Sequence, residues 1–450
     1  VGALPGALAA YGWEMRVLMP GYRSVIAQAE GWDEVWSEAD LFGGPGRVLA
    51  GQVAGISMLL LEASHLYDRA GGPYSGPTGD WPDNDIRFAA LSWAGAAIAR
   101  SGLRDGWRPD VVHAHDWQAG LAPAYLAYAG AEVPSVMTVH NIAFQGFAPA
   151  SQLRALRLPA DQFHPDALEY YGGISSLKAG LITASKITTV SPAYAGELTR
   201  PEFGMGLEGV IAARALDVIG ILNGVDTDIW TPDKGPTPFS ARAPKGKHAA
   251  REALCAEMGL EVPGPLAIIV SRLTDQKGID LIPAVTPDFI AAGGGLAVLG
   301  SGDKGLEAQM LALAARFPGR IAVRIGYDEG LSQRMFAGGD AVLVPSRFEP
   351  CGLTQMYGLR FGTLPVVAAV GGLADTVITA NPAALAAGVA TGITFHPTDA
   401  PAFGLALQNL IHLHADRKAW AAMKRNAMRQ PVGWEQSAAR YAALYAELIT

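Results

Sequence analysis

The chain has 450 residues, 50% of them hydrophobic and 17% charged, with a formal net charge of −8. That composition is globular, long enough for two or three domains with their own cores, and too acidic for a nucleic-acid or anionic-membrane surface, which needs a basic face. Two cysteines, Cys255 and Cys351, exclude a disulfide framework, no apolar run nears the roughly 20 residues of a membrane span, and no signal peptide is visible, so a soluble cytoplasmic protein is expected.

The opening Val1-Gly-Ala-Leu-Pro-Gly-Ala-Leu-Ala-Ala10 is helix-like and leads into a strand, whereas a βα series should open on a strand. The natural first strand and its loop are therefore expected to be missing, and in an open α/β sheet such a strand is often central. Strands are predicted at Met15–Met19, Met58–Glu62, Val111–His115, Ser135–His140, Ile187–Val190 and Val218–Leu222, with helices over Asp85–Ser101 and Leu121–Tyr128 between them. Thr231–Lys247, rich in Pro, Gly, Lys and Ser without apolar periodicity, reads as a linker. A second series follows Pro263: Leu266–Val270, Leu296–Leu299, Ile321–Ile325, Ala341–Val344, Leu364–Ala368 and Ile393–Phe395. The C-terminal stretches Asp399–Met428 and Trp434–Leu448 read as amphipathic helices, the first N-capped by Asp399 with Pro401 in its opening turn. Two runs of strand–helix alternation mean two parallel sheets covered on both faces.

In doubly wound sheets ligands bind beyond the carboxyl ends of the strands. After Val111–His115 comes His113-Ala-His115-Asp116, an H-x-H on one strand face. It could be a metal pair in a hydrolase if other ligands join it, with His140 the only other well-placed histidine. After Leu266–Val270 come Arg272 and Lys277, either a diphosphate grip of fork and point charge or two solvated loop cations. Gly300-Ser-Gly-Asp-Lys-Gly305 matches the dinucleotide pattern of a dehydrogenase, with Asp328 at a tolerable distance, but it stands on the second strand of its series and not on the first. Tyr327 after Ile321–Ile325 could stack on a base or simply pack. Ala341–Val344 runs into Pro345-Ser-Arg-Phe-Glu-Pro-Cys-Gly352, which places Glu349 on a proline-bounded turn at a strand end. Gly371-Gly372 open a helix after Leu364–Ala368, where backbone N–H groups could meet an anion; taken alone they read as an ordinary strand–helix turn.

These residues, with Leu66-Tyr-Asp-Arg69, Pro109-Asp-Val-Val-His-Ala-His-Asp-Trp117, Thr138-Val-His-Asn141, Leu222-Asn-Gly-Val-Asp226, Ser271-Arg-Leu-Thr-Asp-Gln-Lys-Gly278, Pro345–Thr354 and Gly371–Thr376 in this order, carry a resemblance over essentially the whole chain. The chain resembles bacterial glycogen synthases and plant starch synthases, ADP-glucose-dependent retaining glycosyltransferases of the GT-B type. The resemblance implies two Rossmann-like, doubly wound α/β domains facing each other across a cleft, with the first N-terminal strand missing here. The expected bounds are 1–225 for the N-terminal acceptor domain, 226–430 for the sugar-nucleotide domain and 431–450 for a C-terminal helix crossing back. It implies closure of the cleft on nucleotide binding. It implies ADP-glucose and glycogen or a linear α-1,4-glucan as partners, with no cofactor, metal, nucleic acid or membrane. A lysine and an aspartate that the family carries on its first strand–loop, in K-T-G-G-L-A-D, are absent from the chain as given.

Carried over residue by residue, Arg272 and Lys277 should hold the diphosphate and Tyr327 the adenine. Asp116, His140 and Asn223 should surround the glucosyl unit from the N-terminal side, with Asn141 and Tyr74 among the substrate contacts. Glu349 should face the glucose and stabilise positive charge at the anomeric carbon. Cys351, Gly352 and Leu353 should contribute mainly backbone, Thr354 should meet the phosphates, and Gly371 and Gly372 should line the site. Cys351 invites a nucleophile reading, but no histidine adjoins it in sequence, and packing explains it better. A non-catalytic glucan- or nucleotide-binding fragment, a dehydrogenase and a metal hydrolase stand as the alternatives.

Overall fold

Short apolar runs bounded by turn residues become parallel strands buried on both faces, because no position can face water. In the computed structural model, which describes residues 2–450, fourteen strands make the main sheets. They are β1 Arg16–Pro20, β2 Asp33–Glu38, β3 Gly46–Val53, β4 Ile56–Glu62, β5 Val112–His115, β6 Ser135–Val139, β7 Lys186–Thr189 and β8 Val218–Gly220, then β9 Leu266–Val270, β10 Gly295–Gly300, β11 Ile321–Ile325, β12 Ala341–Val344, β13 Leu364–Ala368 and β14 Ile393–Phe395. The chain divides into two compact units. One takes the chain up to Val190 with Ala195–Ile221 and Ser437–Thr450; the other takes Ser191–Tyr194 and Leu222–Gln436. Helix Leu4–Ala9 occupies the helix-like opening, of which Val1 lies outside the described residues.

The first unit holds a parallel sheet in the order β8-β7-β6-β5, and a mixed sheet β1-β4-β3-β2 in which only β1 and β4 run parallel. The antiparallel strands β2 and β3 were not predicted. Asp33-Glu-Val-Trp-Ser-Glu38 has polar pairs on either side of Val35-Trp36 and buries only Val35, so it offers no continuous apolar run. Helix Asn84–Ser101 is apolar around much of its circumference because it has two partners. Phe88, Leu91 and Ile98 pack with Leu59 and Leu61, while Ala89, Ala96 and Ala99 pack with Leu121 and Tyr125. At the chain's end, helix Glu435–Ile449 buries Tyr441, Leu444 and Tyr445.

The second unit is a six-stranded parallel sheet in the order β11-β10-β9-β12-β13-β14. In chain order that is three, two, one, four, five, six, the doubly wound arrangement. The winding reverses between β9 and β12, where Ala267 pairs with Ala341 and Ile268 with Val342. A crevice forms at such a reversal because the connections leave toward opposite faces. Every residue of β10, β12 and β13 is buried, and each fully buried aliphatic side chain stabilises the fold by about 1.5–3 kcal/mol. Asp399 caps helix Ala400–Ala415 by accepting the Ala402 N–H at 2.9 Å. The segment read as a linker is irregular up to Pro244 but is not loose. Phe239 is buried, and Lys247 buries its ammonium against Thr363 Oγ1 (2.8 Å) and the carbonyls of Phe336 and Ala337. Among the described residues no helix is long and apolar enough to cross a membrane.

Candidate active site

Two loops leave the carboxyl ends of β9 and β12, on either side of the reversal. Several bonds tie them together. Arg347 grips Asp280 with both arms of its guanidinium (2.6 and 2.7 Å), its backbone N–H donates to the Gln276 carbonyl (2.9 Å), and Gln276 Nε2 donates to the Phe348 carbonyl (3.2 Å). A bidentate arginine–carboxylate pair fixes geometry as well as adding energy. Held this way, Lys277 Nζ lies 2.5 Å from Glu349 Oε2, and Ser346 Oγ donates to the same oxygen at 2.9 Å. Both side chains of the ion pair are largely buried, at 18% exposed for Lys277 and 10% for Glu349. The structure thus brings Lys277 and Glu349 together, 72 positions apart in sequence. Lys277, expected on a diphosphate, is here the counter-ion of the acid. Arg272 is exposed, and its guanidinium makes a long 3.4 Å contact with Gln276 Oε1. Ser346, Gln276, Arg347 and Asp280 were missed in the sequence because none stands out until the two loops are adjacent.

The glycines after β13 lie directly against the turn that carries Glu349. The Gly372 N–H is spent on the carbonyls of Glu349 and Pro350, both at 3.1 Å. A Cβ on Gly371 would stand 2.1 Å from the Glu349 oxygen, and one on Gly372 2.1 Å from the Cys351 oxygen. The pair is therefore a floor against which the Glu349 turn is pressed. On another side Ser191 Oγ donates to the Pro350 carbonyl at 2.6 Å. Cys351 is buried and bonded to Asn223, and burial pushes its thiol up to about 12. A thiol in that state is no nucleophile at neutral pH. Asn223 counts with the second unit, beside this turn. Gly352 continues the turn at φ +67°, Leu353 is exposed, and Thr354 opens helix Thr354–Phe361, whose N-terminus carries no side-chain cap. The first N–H groups of that helix are available to an anion. Tyr327, beyond β11, is 85% exposed, a free aromatic face and not a packed one.

The Gly300–Gly305 loop is not a dinucleotide fingerprint. Its helix, Lys304–Arg316, is capped by its own acid: Asp303 accepts the Leu306 N–H at 3.0 Å, and Glu307 accepts the Gly302 N–H at 2.9 Å. Two carboxylates at that terminus repel a pyrophosphate. The loop instead supports the neighbouring one, with Leu273 N–H on the Ser301 carbonyl (2.9 Å) and Asp303 N–H on the Leu273 carbonyl (2.8 Å).

In the first unit, β5 and β6 are parallel neighbours, and the residues beyond their carboxyl ends form a second cluster. Asp116, in left-handed backbone at φ +50°, accepts the N–H of His140 at 2.7 Å and that of Asn141 at 3.3 Å. Burial, only partly offset by those two bonds, raises its carboxyl to about 6. His115 Nδ1 lies 3.0 Å from His140 Nε2. The rings of His113 and His115 are 4.2 Å apart, as an H-x-H on one face requires. His113 engages the hydroxyls of Tyr445 and Thr138 with its two ring nitrogens, an arrangement that serves packing more than metal ligation. Desolvation holds all three imidazoles neutral, His113 lowered to about 3, His140 to about 4 and His115 well below its ordinary value. Among the described residues no group of three or more His, Cys, Asp or Glu is placed to hold a metal ion. Asn141 Oδ1 accepts the Ala143 N–H at 3.0 Å. Tyr74 is 44% exposed, bonded through its hydroxyl to Gln118 Nε2 (2.9 Å), with its ring 6.3 Å from that of Trp117.

Comparison with known proteins agrees with this layout. Residues 1–213 match the starch synthase catalytic domain family, and residues 251–428 match the glycosyl transferases group 1 family. A glycogen synthase of Cereibacter sphaeroides is 72% identical over the whole chain and 94% of its own length. One from Paracoccus denitrificans is 57% identical over 99% of this chain and 94% of its own. Among solved structures, the catalytic domain of starch synthase IV from Arabidopsis thaliana, bound to ADP and acarbose, superposes with a TM-score of 0.85 at 28% identity, covering 99% of this chain and 94% of that one. A sucrose-phosphate synthase from Thermosynechococcus elongatus shares the fold at a TM-score of 0.60 and 19% identity, over 99% of this chain and 91% of that one.

Proposed function

This chain belongs to the glycogen synthase family, and on that premise we propose that it transfers glucose from ADP-glucose to the non-reducing end of glycogen or a linear α-1,4-glucan, with retention of configuration. The observation that carries the reading is the pairing of cations and an acid at one sheet reversal: Arg272 and Lys277 after β9, Glu349 after β12. Glucosyl transfer separates charge. The departing ADP gains negative charge while the anomeric carbon becomes oxocarbenium-like. Arg272 takes the diphosphate with its exposed fork, and the uncapped start of helix Thr354–Phe361 adds backbone donors. Lys277 is shared. It neutralises Glu349 until a diphosphate arrives, then turns toward the phosphate and leaves the carboxylate to face the sugar. Only stabilisation that grows from ground state to transition state accelerates the reaction, and this exchange supplies it on both charges.

Tyr327 offers a face to the adenine. In the first unit Asp116 acts through the backbone, orienting His140 and Asn141 toward the hexose. His140, neutral, serves as a hydrogen-bonding group and not as a cation. The acceptor hydroxyl attacks from the side the ADP leaves, its proton passing to the departing phosphate oxygen; with the Cys351 thiol protonated, no cysteine adduct is needed. The test is incubation with radiolabelled ADP-glucose and glycogen, followed by proton NMR of the extended product. Label in the polymer through α-linkages is expected, with UDP-glucose giving less. ADP release without label in the polymer, or β-linkage, would overturn the proposal.

A further inference from the structure

The carbonyls of Glu349, Pro350, Cys351 and Gly352 are all taken by donors. The first two accept the Gly372 N–H. The next two accept Gln355 Nε2, each at 3.0 Å. Gln355 is the second residue of helix Thr354–Phe361 and is fully buried. Its Nε2 also lies 3.1 Å from Thr376 Oγ1, which donates in turn to the Gly372 carbonyl at 2.6 Å. The side chain thus spans from the Glu349 turn to helix Gly371–Thr376. Its Oε1 is buried with no hydrogen-bond partner among the described residues. That oxygen presses on the bare Gly352 backbone, where a Cβ would stand 2.4 Å from it.

This polarity is the reverse of a helix cap. A side chain at a helix N-terminus ordinarily offers an oxygen to the free N–H groups. Gln355 instead offers its donors to the carbonyls before the helix, and its oxygen goes unbonded, a cost that an apolar residue of the same length would avoid. What the amide gives is orientation. In a trans peptide the C=O and the following N–H point opposite ways. Fixing the Cys351 and Gly352 carbonyls on Gln355 therefore turns the Gly352 and Leu353 N–H groups away from it. Among the described residues those two N–H groups and that of Thr354 have no hydrogen-bond partner. Gly352 is left-handed at φ +67°, and Leu353 is right-handed at φ −108°, ψ −27°. Successive residues of opposite hand curl their N–H groups into a concavity that fits an anion.

We propose that Gln355 is a positioning residue: by holding the Cys351 and Gly352 carbonyls it keeps the N–H groups of Gly352, Leu353 and Thr354 converged on a phosphate of the nucleotide. The choice of phosphate rests on the proposed function. Gln355 acts through the backbone and not on the substrate. The concavity adjoins the acid, since the point where a Gly352 Cβ would stand is 3.1 Å from Glu349 Cγ. An anion held there is therefore close to the Lys277–Glu349 pair. Donors fixed before the substrate arrives need no reorganisation as charge grows on the leaving group.

The experiment compares the whole chain with Gln355→Met, which keeps the length and removes the donors, and with Gln355→Glu, which keeps the shape and regains one donor only when protonated. Calorimetric titrations with ADP, pyrophosphate and adenosine read binding without turnover. Gln355→Met should weaken ADP and pyrophosphate by about tenfold or more and lower kcat by a similar factor, while adenosine affinity and the half-saturating glycogen concentration stay within about twofold. Gln355→Glu should show the same defect at pH 8 and recover, relative to the parent, as pH falls toward 6, because burial favours the neutral acid. A glutamine that serves stability alone would lower the melting temperature without separating phosphate from adenosine and without recovery at low pH. Should Gln355→Met fail to fold, the Gln355→Glu comparison at the two pH values decides the matter. ADP and pyrophosphate affinities within about twofold of the parent overturn the proposal, and so does an equal loss for adenosine. A parent that binds ADP through this loop yet transfers no glucose leaves the positioning role standing and sinks the proposed function; a parent that binds neither ADP nor pyrophosphate overturns both.

Discussion

Replacing Glu349 by glutamine separates two effects that usually fall together. The side chain keeps its shape and one acceptor oxygen for Lys277 and Ser346, but the charge opposite the Lys277 ammonium is gone. Breaking a buried ion pair from one side costs about 3–5 kcal/mol. Here Lys277 keeps 18% exposure and a neutral acceptor remains, so about 1–3 kcal/mol of stability should be lost without ligand. Nucleotide binding should move the other way. In the parent, ADP must draw Lys277 from the carboxylate; in the variant Lys277 has no competing charge, and ADP should bind about three- to tenfold tighter, roughly 0.7–1.4 kcal/mol. Turnover should fall by about 10²–10³, the scale seen when one electrostatic stabiliser of a transition state is removed. Calorimetric titration with ADP and steady-state transfer assays read the two quantities on one preparation. Weaker ADP binding, or turnover within about threefold of the parent, would refute the shared-lysine reasoning.

Gly372→Ala should destabilise by about 1–3 kcal/mol or more and abolish transfer, because the new Cβ meets the Cys351 oxygen at 2.1 Å; chemical denaturation beside an activity assay tests this. Cys351 should resist iodoacetamide at pH 8 in the folded chain, and Cys351→Ala should retain transfer within about tenfold, as peptide mapping and kinetics would show. Asp116 has a folded value of about 6 against 3.8, so its contribution to stability is present below pH 3.8 and is lost as pH rises through about 6. Asp116→Asn should therefore be more stable than the parent by up to about 2–3 kcal/mol at pH 7.5, with the gap closing below pH 4. His113 and His140 have the opposite sign. Their stabilisation is complete above pH 6.5 and is lost as pH falls through about 4 and then about 3, so melting temperatures measured from pH 7 to 3.5 should drop steeply at the acid end.

The parallel strands were legible because burial on both faces writes itself as unbroken apolar runs; β9 to β14 fall within a residue of their predicted bounds. Strands β2 and β3 were not, since only part of each is buried and both carry charged or polar residues that break the apolar run. Arg272, Lys277 and Glu349 could be chosen from their places at strand ends, but the Lys277–Glu349 bond depends on β9 and β12 being neighbours, a fact of strand order and not of local sequence. Gly371-Gly372 read alone as an ordinary strand–helix turn, and the Glu349 turn pressed against them could not be foreseen, because the sequence shows what a glycine permits and not what packs on it.

The most direct test of the site is a crystal structure of the chain with ADP. Phosphate oxygens should lie within hydrogen-bonding distance of Arg272 and Lys277 and near the start of helix Thr354–Phe361, with Lys277 drawn away from Glu349. A nucleotide seated elsewhere, with the Lys277–Glu349 bond intact and the loops beyond β9 and β12 empty, would contradict the assignment.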